Sequence, residues 1–108
     1  MNGAYDRDRL VELFGDTGAL ADVEREFLDT ARTAEREIAG TNDLVAIARA
    51  AHRLKGASGM VGATALRQVA EAIEKAASAA DRPAVRRLHG ALSEEVRRVA
   101  EQASAAKG

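Results

Sequence analysis

Residues 51–62 read AHRLKGASGMVG, and the fold predicted for the chain follows from this stretch. At about 100° per residue, the mostly apolar residues before and within it gather on one side of a helix, and His52 points about 140° away from them. The residues on that side are Leu44, Ile47, Ala51, Leu54, Ser58 and Val61. We therefore expect an amphipathic helix that buries this side and presents His52 to solvent.

The outer face around His52 combines cations with residues that lack side chains. Within two helical turns it carries Arg49, Lys55, Gly56 and Gly59. A glycine inside a helix costs roughly 1 kcal/mol relative to alanine, so folding alone does not explain two of them beside an exposed imidazole. Because these glycines have no side chains, another molecule can come close to His52. A neutral imidazole is a nucleophile, and a lysine one turn away can neutralise an attached anion, so this pattern indicates a histidine that carries a phosphoryl group.

The same residues form a dense motif with specific spacing. It consists of His52-x-Leu54-Lys55-Gly56-Ala57-Ser58 followed by Gly62-Ala63-x-x-Leu66. This motif resembles the phosphoacceptor signature of histidine-containing phosphotransfer (HPt) domains, which occur in bacterial and eukaryotic phosphorelays. The resemblance extends from about Tyr5 to Ala80, and more loosely to the C-terminus.

The resemblance implies a function and a set of partners. His52 would accept a phosphoryl group from an aspartyl phosphate on a response-regulator receiver domain and pass it to an aspartate on another receiver. The expected partners are therefore receiver domains and a sensor histidine kinase, which can be of the hybrid type. Mg²⁺ is expected on the receiver, and no cofactor or metal is expected on this chain.

Glu74 is the candidate for orienting His52. If the helices on either side of Ala63 form a hairpin, residues equally far from it come level, and position 52 faces position 74. The Glu74 carboxylate could then accept a hydrogen bond from His52 Nδ1–H and leave Nε2 free to attack. Chemotaxis-type relatives commonly carry Glu or Gln in this role, so the resemblance agrees. The alternative is an ordinary solvated carboxylate.

The other residues of this face are predicted to bind the phosphoryl group or the partner. Lys55 should stabilise the phosphate, although a solvating surface lysine is the alternative. Gly56 and Gly59 should give a partner clearance, and Met60 could form an apolar patch with Ala48. The predicted docking residues are Ala48, Arg49, Gly56, Gly59 and Met60, with parts of the first and second helices beside them.

Composition limits the classes of protein that this chain can belong to. It has 108 residues, a net charge of −1 and no cysteine, which argues against nucleic-acid partners, thiolate metal sites and disulfides. Its longest aliphatic run is too short for a membrane span, and residues 1–10 lack the apolar segment of a signal peptide. The prediction is a cytoplasmic, monomeric domain of bacterial origin. His89, the only other histidine, has no comparable glycines or lysine around it and is interpreted as incidental.

Apolar periodicity predicts an all-α fold over residues 1–108, a single domain. We expect an antiparallel up-down-up-down four-helix bundle with a short additional N-terminal helix. The predicted helices span 5–14, 17–39, 42–61, 64–80 and 82–103. Asp16 or Thr17 should cap the second helix and Thr41 or Asn42 the third, whereas Gly62 should end the third. The fourth should bury Leu66, Val69, Ile73, Ala76 and Ala80.

Two other functions remain open on the sequence alone. The chain could be the phosphoacceptor domain excised from a chemotaxis-type or hybrid histidine kinase, with ATP bound on another domain as its donor. It could also be a helical interaction module that no longer transfers phosphate. The sequence contains no Gly-rich phosphate loop, so we expect no ATP binding or autokinase activity of its own.

Overall fold

The computed structural model describes residues 3–105 and arranges them as a helical bundle. Its helices are α1 (Arg7–Phe14), α2 (Gly18–Ala39), α3 (Leu44–Met60), α4 (Thr64–Ser78) and α5 (Arg82–Ala105). Connections of three or four residues join them, so consecutive long helices run in opposite directions. The all-α fold predicted from the sequence is confirmed. Every helix within residues 3–105 is too short or too polar to serve as a membrane span.

The core combines side chains from all five helices with Tyr5, which precedes α1. The largest of the fully buried side chains are Tyr5, Leu10, Leu20, Leu54, Leu66, Ile73, Leu92 and Val99. On α4 the buried stripe is slightly rotated from the predicted one, because Ala70 and Ala77 are buried while Val69 and Ala76 are only partly so. The prediction that Ala80 is buried was wrong, since the residue lies exposed beyond the end of α4.

The segment before α1 is hydrogen-bonded to α5 and to the residue that follows α3. The Gln102 amide of α5 accepts a hydrogen bond from Ala4 N–H at 2.7 Å and donates one to the Tyr5 carbonyl at 3.0 Å. Asp6 N–H donates to the Val61 carbonyl at 2.9 Å. The buried Tyr5 hydroxyl donates to the Glu24 carboxylate, and burial together with this carboxylate raises the pKa of Tyr5 above its usual range. These contacts fix the C-terminal end of α3 and explain why α1 begins at residue 7 rather than 5.

The N-terminal ends of α2 and α3 are each capped by one of several candidate residues. Thr17 caps α2, which agrees with one of the two predicted residues. The predicted cap of α3, Thr41 or Asn42, was wrong: Asp43 accepts hydrogen bonds from Val45 N–H and Ala46 N–H. An aspartate at this position also interacts favourably with the positive end of the helix dipole. The Thr41 hydroxyl instead accepts from Asp43 N–H at 3.1 Å.

Two helices end in the same hydrogen-bonded motif with different residues at its left-handed position. At the end of α3, Ala63 N–H bonds the Ser58 carbonyl, and Gly62 has a φ of 68°. At the end of α4, Asp81 N–H bonds the Ala76 carbonyl, and Ala80 has a φ of 56°. Glycine adopts this conformation without steric cost, whereas alanine does not. This turn stops α4 at Ser78, two residues before the predicted end.

Replacing Ala80 with glycine should therefore raise the free energy of unfolding by roughly 0.5–1 kcal/mol, because relief of the left-handed strain exceeds the added flexibility of the unfolded chain. Urea denaturation followed by circular dichroism measures the change. Ala79→Gly is the control, since Ala79 has an ordinary φ of −88° and should lose stability. Stabilisation by both substitutions, or by neither, would contradict this explanation.

Candidate functional site

His52 lies in the middle of α3 and faces solvent. Its side chain is 68% exposed, whereas Ala51 and Leu54 beside it are completely buried. The helix direction predicted from the apolar stripe thus agrees with the structure. An imidazole in this position is accessible to a second macromolecule.

Glu74 of α4 contacts the ring of His52. Its Oε2 atom lies 2.8 Å from His52 Nδ1. The pKa of Glu74 is lowered, chiefly by its hydrogen bond with Lys55 and further by His52, against the opposing effect of burial. An ionised carboxylate can only accept hydrogen bonds, so Nδ1 carries the proton and Nε2 keeps its lone pair in the neutral ring. The arrangement leaves Nε2 as the available nucleophile.

Lys55 binds the other oxygen of the same carboxylate. Its Nζ atom lies 2.7 Å from Glu74 Oε1, and its side chain is partly buried. One carboxylate therefore links the imidazole and the ammonium group, and it holds both on the same side of α3. The sequence placed Lys55 near His52 but did not predict that Glu74 would be its partner.

The predicted docking residues fall into two groups on either side of His52. Gly56 is exposed, and a Cβ atom added to it would meet nothing within 4 Å. A Cβ at Gly59 would lie 3.5 Å from Arg67 Cδ. Met60 is 77% exposed. These residues form the surface on the C-terminal side of His52.

Ala48 and Arg49 lie on the N-terminal side, in a groove that also contains His52 and Glu74. Met60 and Ala48, which were predicted to form one apolar patch, lie far apart along α3. Twelve residues separate them along α3, which corresponds to about 18 Å of helix rise. Apolar surface therefore lies on both sides of His52 and not in a single patch.

The structure adds residues to this face that the sequence analysis did not identify. Val45 is 60% exposed and lines the groove with Ala48. Arg53, directly after His52, pairs with Glu37 of α2 at 2.5 Å and so links α3 to α2. This ion pair could not be predicted from the sequence, because it depends on how α2 packs against α3. On α1, Leu13 and Phe14 are exposed, so apolar surface is present on the first helix.

A family model described as the Hpt domain matches residues 18–102. The chain belongs to the Hpt domain family. The match confirms the resemblance noted from the motif, although it begins at α2 and does not include Tyr5 or α1. Searches of curated proteins and of solved structures gave no significant match.

Membership of the Hpt domain family places the chain in histidine phosphotransfer within two-component signalling. Hpt domains are phosphotransfer modules that typically interact with receiver domains and histidine kinases. Within residues 3–105, no three His, Cys, Asp or Glu side chains gather in a way that could hold a metal ion. The His52 face is the part of this Hpt domain whose geometry matches that chemistry.

Proposed function

We propose that His52 accepts a phosphoryl group from the aspartyl phosphate of a receiver domain and passes it to an aspartate on a second receiver. The observation that carries the proposal is the exposed imidazole whose Nδ1–H is held by Glu74. In the first step the Nε2 lone pair forms a bond to phosphorus, and the bond from phosphorus to the aspartyl oxygen breaks. The aspartate leaves as a carboxylate. The second step is the reverse reaction with another receiver.

Glu74 and Lys55 have different roles in this proposal. Glu74 is a positioning residue, because it fixes the protonated nitrogen and the ring direction of His52 while its second oxygen binds Lys55. It also stabilises the positive charge that the ring acquires as Nε2 is phosphorylated. Lys55, whose flexible side chain lies beside the ring, can turn from Glu74 to the phosphoryl oxygens. When the Lys55 ammonium group leaves Glu74, the positive charge on the phosphorylated His52 ring takes its place beside the carboxylate.

The partner supplies what this chain lacks. We infer that the receiver contributes the Mg²⁺ ion and the acidic residues that hold it, while this domain contributes a positioned nucleophile and a docking face. The glycines at positions 56 and 59 let the receiver approach His52 closely. The chain is not expected to phosphorylate itself, since it has no Gly-rich loop for a nucleotide phosphate.

The decisive experiment mixes the purified domain with a phosphorylated receiver and Mg²⁺ and measures intact mass. We expect one acid-labile phosphoryl group on the wild type and on His89→Ala, and none on His52→Ala. Label from an ATP-fed kinase domain, but not from a broad panel of receivers, would instead favour the phosphoacceptor domain of a kinase. Absence of label from both donors would favour a non-transferring interaction module.

Lys55→Gln should slow phosphoryl transfer to His52 by roughly threefold to tenfold, as expected for loss of a partly exposed cation close to the transferred group. Single-turnover transfer from a phosphorylated receiver, followed by gel or mass analysis, gives the rate. Lys75→Gln is the matched control: Lys75 pairs with Glu71 on α4 at 3.2 Å. Equal transfer rates for Lys55→Gln and Lys75→Gln would show that Lys55 does not take part in phosphoryl transfer.

A further inference from the structure

Three cationic side chains lie within about one helical turn of His52 on α3, and they differ in their contacts. Lys55 and Arg53 each bind a carboxylate, at 2.7 Å and 2.5 Å respectively. Arg49 is exposed, and it makes no ion pair or side-chain hydrogen bond with any residue in the described range 3–105. Its charge is therefore available to a group that becomes attached to His52.

The position of Arg49 on α3 brings its side chain close to the imidazole. Residues three apart are neighbours on a helix surface, with Cβ atoms about 5–6 Å from each other. Helical side chains also lean toward the N-terminus, so His52 lies over the turn that carries Arg49. In agreement with this, both residues line the same groove between α3 and α4. A long arginine side chain in this position can reach a group on the ring.

The orientation of the ring decides on which side of His52 such a group would lie. Nδ1 faces Glu74 on α4 at 2.8 Å, and the same carboxylate holds Lys55. Nε2 lies on another edge of the ring, so a phosphoryl group bonded to it projects away from Glu74. Arg49 lies about 60° around the helix from His52, on the side opposite Lys55. The phosphoryl group would therefore project toward Arg49.

Arg49 can also bind a phosphoryl group at a lower cost than Lys55. Lys55 must first give up its ion pair with Glu74 at 2.7 Å. Arg49 gives up no such pair with the described residues. Its planar guanidinium group can in addition donate two parallel hydrogen bonds to phosphoryl oxygens, which an ammonium group cannot do.

We propose that Arg49 binds the phosphoryl group once it is attached to His52 and so stabilises the phosphorylated state of the domain. The inference rests on the proposed phosphotransfer function and adds a role to the docking role predicted for Arg49. Lys55 assists the transfer step, whereas Arg49 raises the fraction of His52 that carries a phosphoryl group at equilibrium.

The test compares the forward and reverse rates of transfer between one receiver and His52, since their ratio gives the equilibrium constant. Arg49→Gln should lower this constant by about twofold to fivefold, the range for an exposed ion pair. A residue that acts only in docking changes both rates by the same factor. An unchanged equilibrium constant would therefore overturn the proposal, even if both rates fell.

Arg87→Gln is the control for loss of charge. Arg87 lies on α5, is exposed, and likewise makes no ion pair with the described residues. Lack of a partner does not distinguish Arg49 from it, but the position beside His52 does. We expect the equilibrium constant of Arg87→Gln to equal that of the wild type. Equal reductions in the two variants would overturn the proposal, because net charge alone would explain them. Circular dichroism checks that both variants are folded.

A second measurement needs no receiver. Phosphoramidate can phosphorylate histidine directly: a bond forms from Nε2 to phosphorus, the phosphorus–nitrogen bond of phosphoramidate breaks, and ammonia leaves. In a His89→Ala background, His52 is the only histidine. A ³¹P NMR titration should give the phosphoryl group a higher pKa in Arg49→Gln than in the background, because a nearby guanidinium group favours the dianion.

The two measurements separate failure of this inference from failure of the proposed function. An equal phosphoryl pKa in Arg49→Gln and its background would overturn the role of Arg49, whatever the receivers do. A higher phosphoryl pKa in Arg49→Gln would support that role even if no receiver transferred to His52, a result that would reject only the proposed function.

Discussion

Replacing Glu74 with alanine should slow phosphoryl transfer to His52 by about tenfold to a hundredfold, the range found when a carboxylate that orients a metal-binding histidine is removed. The physical reason is the 2.8 Å contact between Glu74 Oε2 and His52 Nδ1. Without it, the imidazole can rotate, and the proton can occupy Nε2 and block its lone pair. The measurement is single-turnover transfer from a phosphorylated receiver at saturating receiver concentration.

A conservative variant separates this positioning role from a general effect of charge. The amide oxygen of Glu74→Gln can still accept a hydrogen bond from Nδ1–H but carries no charge, so this variant should recover only part of the rate. The tautomer provides a second readout: ¹⁵N NMR of the His52 ring should report Nδ1–H in the wild type and in Glu74→Gln, but increased Nε2–H in Glu74→Ala.

Glu71→Ala is the matched control for charge. Glu71 lies one turn earlier on α4 and pairs with Lys75 at 3.2 Å, and it makes no hydrogen bond or ion pair with His52 or Lys55. We expect its substitution to leave both the transfer rate and the His52 tautomer unchanged. Equal rates for the Glu71 and Glu74 variants would contradict the positioning role.

The contact between His52 and Glu74 could be predicted from the sequence because it depends on the position of one turn. Gly62, in the left-handed conformation that ends α3, places Ala63 at the centre of the hairpin, and counting outward pairs residues 52 and 74. The pairing of Lys55 with the same carboxylate could not be predicted by counting. A lysine side chain has several rotatable bonds, and its partner depends on which charges surround it.

The residues at which the helices begin and end were predicted less well than the side of each helix that is buried. Thr41, Asn42 and Asp43 are all good N-cap residues, and their sequence does not rank them without the backbone path. Ala80 occupies a left-handed position that sequence patterns assign to glycine, so α4 was predicted to continue two residues too far. The first difference arises where local preferences are nearly equal, and the second arises where tertiary packing overrides the local preference of alanine.

Features between helices that are distant in sequence were beyond prediction. The pair between Arg53 and Glu37 depends on the rotation of α2 against α3. Several completely buried residues of the helices are alanines, including Ala31, Ala50 and Ala70. Alanine stripes indicate close packing but specify the rotation of a helix poorly, because they offer few large side chains that must interlock.

Replacing Gly56 with glutamine should reduce phosphoryl transfer by at least about tenfold while stabilising the fold. The reaction requires phosphorus to come within bonding reach of His52 Nε2, and a misplacement of about 1 Å can cost roughly a hundredfold in rate. A glutamine side chain at position 56 would project into the space through which the receiver approaches. The transfer rate should therefore fall even though His52, Lys55 and Glu74 are unchanged.

The stability of the same variant should move in the opposite direction. Gly56 lies inside α3, and an added Cβ would meet nothing within 4 Å. Glutamine has a higher helix propensity than glycine, so the free energy of unfolding should rise by roughly 0.5 kcal/mol. A loss of transfer with a gain in stability cannot result from damage to the bundle.

Gly90→Gln is the control that isolates the docking effect. Gly90 lies inside α5, is exposed, and likewise has nothing within 4 Å of an added Cβ. Both variants should gain stability by similar amounts in urea denaturation, but only Gly56→Gln should lose transfer. Equal transfer rates would mean that the receiver does not approach over Gly56, and the docking face would then have to lie on the side of Val45 and Ala48.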